Sequence, residues 1–215
     1  MLTFGLLLEK SEAFSIPALI RSFYGKRKEY IMNPYENINF DNEPDLARLS
    51  NRMNSVLRTI QYCLENKRLF PALTLIYTSI DILGSLQDEF GSASAENFRD
   101  WVNKYFFTIK SFPFTEKDLY GARCGIVHTM RYDSKNATKD GLKEIVYGFR
   151  GYDPAIGKIT DHNKQVGVHL EDLFETLLAA YKLYFDDLRT SSDHIVKTNL
   201  SRLPSDYVDL IPLEF

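Results

Sequence analysis

Arg123 and His128 are the residues of this chain whose types and spacing suit a reaction. They end the run Arg123-Cys124-Gly125-Ile126-Val127-His128, which the surrounding pattern places in a helix. An imidazole that titrates near neutrality can take the proton of an RNA 2′-hydroxyl, or give one to the departing 5′-oxygen. A guanidinium can hold the phosphate and stabilise the charge that develops on it. Together they suit RNA cleavage without a metal. At ~100° per residue the two point roughly 140° apart around a helix. That is poor for gripping each other, but a long Arg can wrap toward the His, and both can converge on a ligand lying across the helix. A surface Arg and a buried, hydrogen-bonded His is the other reading of the same residues.

Several neighbours bear on this pair. Asp81 and Tyr77, on an adjacent helix, either orient the site or form a buried hydrogen-bonded pair. Arg131, about one turn beyond His128, adds a phosphate contact or is simply solvated. Cys124 reads as a small packing residue or a nucleophile. Gly121 and Gly125 lie one turn apart, and each mid-helix Gly costs about 0.5–1 kcal/mol relative to Ala. Close approach of another backbone would compensate, so the face around Gly121, Gly125 and His128 is expected to meet another helix, of this chain or of a partner. His162, His169 and His194 are assigned no role.

The elements that must position these residues are mostly helical. Leu46, Leu49, Met53, Val56, Leu57, Ile60 and Leu64 recur at three- and four-residue steps, an amphipathic helix with Asp45 as its N-cap. Residues 69–86 are apolar on most sides, which predicts a helix in the middle of a bundle. Residues 94–107 give a third helix with a wide aromatic face. A fourth opens on a capping box made by Thr115 and Asp118 and is expected to end near residues 132–134. Residues 133–168 are different, with β-rich runs at 144–149 and 165–169, read as a small β-hairpin or irregular flap. Residues 168–188 form a fifth helix and 192–203 a short sixth. The fold class is therefore mainly α, a helical bundle with a β-hairpin or irregular insertion before the last long helix. The organisation is an N-terminal extension, 1–43, carrying a short helix over 16–30, and a helical domain, 44–215, whose apolar tail from Tyr207 can dock on the bundle.

Arg123-x4-His128, on a late helix of such a bundle, resembles the signature of the HEPN domains. The stretches Leu73-Thr-Leu-Ile-Tyr-Thr-Ser-Ile-Asp81 and Leu119-Tyr-Gly-Ala-Arg-Cys-Gly-Ile-Val-His128 share that texture. The resemblance covers roughly residues 45–188, with 133–168 as an embellishment. It implies an antiparallel helical bundle and a metal-independent endoribonuclease, without cofactor, of the kind found in toxin, anti-phage and CRISPR-associated systems. It also implies a homodimer in which two Arg/His motifs line one cleft, with RNA as substrate and an antitoxin or defence-system protein as a further partner. Arg123 would bind the phosphate and His128 would be the acid/base. The family favours Asn after the Arg, where this chain has Cys124. The alternative within the same resemblance is a catalytically inactive interaction or regulatory module.

Composition sets outer bounds. A net charge of −3 argues against a protein that coats nucleic acid by bulk electrostatics, though not against a local phosphate grip. The cysteines, Cys63 and Cys124, form no CxxC, and the histidines show no HxxxH or HExxH spacing, so no metal is expected. The first eight residues, Met-Leu-Thr-Phe-Gly-Leu-Leu-Leu, are too short an apolar run to span a bilayer and lack the basic flank of a signal peptide. A cytoplasmic protein without membrane contact is the expectation. The basic cluster Arg21, Lys26, Arg27 and Lys28 is either a solvated face or an RNA-contacting arm.

Overall fold

Apolar residues at helical spacing build the first element, α1 (Pro44–Glu65), in a computed structural model that describes residues 43–130, 141–160 and 164–203. Leu46, Leu49, Met53, Leu57, Ile60 and Leu64 are all buried along one side of α1. Asp45 is not its cap. Glu43 holds the N-cap position, Pro44 starts the helix, and Asp45 in the first turn pairs with Arg48. The expected helix at 16–30, the basic cluster, Arg131 and the tail from Tyr207 lie outside the described residues.

α2 (Leu69–Ser85) is the central element, packing against α1, the third and fourth helices and the last long one. This is where a helix apolar on most sides belongs, since it has no solvent face wide enough for polar residues. Its last turn lies very close to the third helix. A Cβ on Gly84 would sit 2.8 Å from the carbonyl oxygen of Asn97.

α3 (Ala95–Trp101) is capped by Ser94, whose hydroxyl accepts from the Asn97 N–H at 3.1 Å. It continues through a π-helical segment, Val102–Phe106, and a final turn, Phe107–Ile109. The sequence pattern predicts an unbroken α-helix here, so the widened turn is new. It coincides with a cluster of rings in which Tyr184 meets both Trp101 and Tyr105 edge-on, at 6.0 and 4.8 Å.

α4 (Glu116–Thr129) starts with the expected capping box. The Asp118 carboxylate accepts from the Thr115 N–H and hydroxyl, both at 2.8 Å, and its other oxygen accepts from the Lys143 N–H at 2.7 Å. One buried side chain thus fixes both the start of α4 and the approach to the first strand. The helix stops sooner than expected, because Met130 takes a left-handed conformation (φ 51°) as its C-cap.

β1 (Glu144–Gly148) and β2 (Gln165–His169) pair in parallel, in register from Glu144 opposite Gln165 to Gly148 opposite His169. They are not a hairpin. A parallel pair needs a crossover of roughly a dozen residues or more, and residues 149–164 supply it, including a 3₁₀ turn, Ile156–Lys158. That turn lies directly on β2. A Cβ on Gly167 would fall 1.8 Å from the carbonyl oxygen of Ile156, a contact that only backbone movement relieves. Gly167→Ala should therefore destabilise the chain by about 2–3 kcal/mol, near the upper end of overpacking costs. A urea melt checks this, and an unchanged midpoint would count against the crossover.

α5 (Leu170–Thr190) follows β2 without a break and lays Leu173, Leu177, Ala180, Tyr181 and Phe185 against the core. The short α6 (His194–Ser201) is capped by Asp193 and tied to the end of α2 by Asn199, which donates to the Leu86 and Asp88 carbonyls at 3.1 and 2.6 Å. The chain is thus mainly helical, with a two-stranded sheet between α4 and α5. No described helix is long and apolar enough to cross a membrane.

A charged cluster anchors the sheet at the start of α5. Asp172 accepts from Lys110 Nζ at 2.6 Å and from Arg150 Nη2 at 2.7 Å. Arg150 Nη2 gives Glu175 the longer contact, 3.2 Å, and burial prevails there, raising the Glu175 carboxyl to about 7. A folded pKa above the unfolded value means that the native chain holds the proton more tightly, so stability falls as pH rises from the ordinary Glu range toward 7. Glu175→Gln should accordingly raise the melting temperature at about pH 8 by at least about 3 °C more than at about pH 5. Equal shifts at the two pH values would contradict it.

Candidate active site

Arg123 projects from the middle of α4 toward α2, where Asp81 sits near the end of the helix. Its Nε donates to Asp81 Oδ2 at 2.8 Å, and its Nη2 reaches the same oxygen at 2.6 Å. The third nitrogen, Nη1, lies 2.9 Å from His128 Nε2. The Tyr120 ring, one turn earlier on α4, flanks the guanidinium with its centroid 5.9 Å from Arg123 Cζ, and Phe98 of α3 meets that ring edge-on at 5.4 Å. Three groups therefore fix the cation: a carboxylate from α2, an imidazole and a ring from α4.

Burial is uneven across the site. The Arg123 and Asp81 side chains are only 15% and 10% exposed, while His128 is exposed. The arrangement reverses the surface-Arg, buried-His alternative, for here the cation is enclosed and the imidazole faces outward. Burial raises the Asp81 carboxyl above its ordinary range, and the hydrogen bond and charge of Arg123 only partly offset this. Burial also works against the Arg123 charge, but the Asp81 contact more than restores it, so the guanidinium stays protonated. The roughly 140° separation does not keep Arg123 from His128, because the guanidinium reaches along the helix to the ring in its last turn.

The other expected residues divide. Cys124 is a free, half-buried thiol in polar contact with Arg123 and Tyr120. It thus touches the catalytic candidate from the position where the resemblance favours Asn, though a thiol is the weaker partner. Tyr77 does not pair with Asp81. Fully buried, it hydrogen-bonds the Tyr147 hydroxyl of β1 and so latches α2 to the sheet one turn before Asp81. Burial drives its phenol well above the ordinary range, which suits a structural tie. Gly121 and Gly125 are both buried on α4, a helix packed against α2, α3 and β1. Arg131 lies outside the described residues.

Tyr120 is the member that sequence reasoning missed. Its spacing of three from Arg123, which makes neighbours on a helix surface, was the available signal. Among the described residues no group of three or more His, Cys, Asp or Glu could hold a metal ion. No protein-family model, curated protein or solved structure matches the chain.

Proposed function

We propose that this chain is a metal-independent endoribonuclease of HEPN type, an effector of a toxin or anti-phage system. The observation that carries the reading is the 2.9 Å contact between Arg123 Nη1 and His128 Nε2, a fixed cation beside an exposed imidazole. In the reaction the 2′-oxygen bonds to phosphorus and the bond to the 5′-oxygen breaks. His128 takes the 2′-hydroxyl proton, and the protonated imidazole of a second copy's motif gives one to the leaving 5′-oxygen. Arg123 donates to the phosphate oxygens as charge builds on them. Two copies of the chain, each bringing one Arg/His pair to a shared cleft, would separate the base and acid roles. An antitoxin or defence-system protein would then restrain the activity.

A catalytically inactive HEPN-like module is the competing reading. Asp81 favours it, since one carboxylate already takes two of the three guanidinium nitrogens. The two readings separate when the full chain is incubated in EDTA with an RNA and with DNA of the same sequence. The nuclease reading expects RNA fragments ending in 2′,3′-cyclic phosphate and intact DNA. Intact RNA, or equal cutting of both, overturns it.

A further inference from the structure

We infer that Arg123 holds His128 in an idle tautomer, and that a phosphate group arriving at Arg123 releases it. The inference deepens the ribonuclease reading, on which its catalytic meaning rests. A guanidinium carries donors only, so in the 2.9 Å contact Arg123 Nη1 donates and His128 Nε2 accepts. The neutral ring must then carry its proton on Nδ1, since the hydrogen bond made by one ring nitrogen sets the state of the other. Neither nitrogen has an open lone pair in that state. Nε2 is occupied by Arg123 and Nδ1 is protonated, so the ring cannot take a 2′-hydroxyl proton while the contact lasts.

The same geometry contains the release. Asp81 Oδ2 holds Nε and Nη2, so the guanidinium stays docked on α2 whatever happens at Nη1. Tyr120 and the Cys124 thiol flank it from α4. His128 is the exposed member, in the last turn of α4 before the left-handed Met130, and its ring can turn away. A phosphate oxygen carries negative charge where the ring nitrogen is neutral, so the guanidinium is drawn to phosphate by ion pairing as well as by the hydrogen bond. Where phosphate takes the Nη1 N–H that His128 accepted, the imidazole is freed at the moment its base is needed. Without phosphate the site is self-quenched.

Two-bond proton–nitrogen correlation spectra of the ¹⁵N-labelled full chain, at about pH 8, read the tautomer directly. His128→Ala assigns the signals. The expected result is the Nδ1–H form in the free protein, moving toward the water-favoured Nε2–H form as inorganic phosphate is added. Arg123→Lys should show Nε2–H from the start, with no response to phosphate. It keeps a cation opposite Asp81, so it guards against the misfolding that Arg123→Ala risks. An Nε2–H signature in the free wild-type chain, or an Nδ1–H signature that phosphate leaves unchanged, overturns the inference. A tautomer switch in a chain that cuts no RNA keeps this inference and removes the nuclease reading, and cutting without a switch does the reverse.

Discussion

His128→Ala is expected to slow metal-free RNA cleavage by about 10²–10⁴-fold, the range supplied by one positioned acid or base. The fold should hardly notice. His128 is exposed and bonded to Arg123, which keeps its two contacts to Asp81 when the ring is gone. An exposed substitution of this kind stays within about 0.5 kcal/mol, or about 1–2 °C in melting temperature for a chain of this size. His128→Gln sharpens the test. A Gln carbonyl can accept from the guanidinium much as Nε2 does, yet it cannot carry a proton, so the loss of rate should persist. A His128→Gln chain that cleaves at the wild-type rate would mean that His128 only braces Arg123.

The largest effect on stability should come from the Asp81–Arg123 pair. Removing one partner of a buried ion pair costs about 3–5 kcal/mol, because the other charge is left without compensation. Here both side chains keep a small exposed fraction, 15% for Arg123 and 10% for Asp81, which lets water soften the loss. Asp81→Ala and Arg123→Ala should each cost about 2–3 kcal/mol and lower the melting temperature by about 5–10 °C. The double variant should cost less than the sum of the two, since neither charge is stranded, and the cycle should return a coupling of about 1–2 kcal/mol. Strictly additive losses would mean that the two side chains do not meet. Arg123→Ala should also reduce cleavage by about 10²–10³-fold, the effect of removing a donor aimed at developing charge. Asp81→Asn separates the roles, because it keeps a hydrogen-bond acceptor for the guanidinium while dropping the carboxylate charge.

Local patterns were legible in the sequence, and long-range ones were not. The three- and four-residue steps from Leu46 to Leu64 predict α1, because a 3.6-residue period has one physical source. Thr115 and Asp118 announce the start of α4 for the same kind of reason, a cap made within one turn. The strands at 144–148 and 165–169 were visible as β-rich runs, but their direction was not, since the side-chain alternation of a strand is the same in parallel and antiparallel pairs. The close seating of Ile156 on Gly167, within the crossover, is a tertiary fact with no sequence period. The π-helical turn at Val102–Phe106 is equally silent, and it lies where Trp101 and Tyr105 meet Tyr184 from α5.

The candidate site divides along the same line. Arg123 and His128 share one helix, and their types alone suggested the chemistry. Asp81 stood out as a polar residue in an apolar helix, but its partner is 42 residues away and only packing of α2 on α4 reveals it. Tyr77 stood out for the same reason and turned to β1 instead, because its hydroxyl meets Tyr147. Cα directions point Arg123 and His128 roughly 140° apart, and the reach of a long Arg toward the His, legible from its residue type, closes the gap to 2.9 Å.

Single-turnover cleavage of one RNA in EDTA, by wild type, His128→Ala and Arg123→Lys at equal concentration, tests the central claim most directly. The account predicts that wild type cuts and leaves 2′,3′-cyclic phosphate, and that both variants lose most of the rate while staying folded. Cutting at the same rate by all three, or none by the wild type, would contradict it.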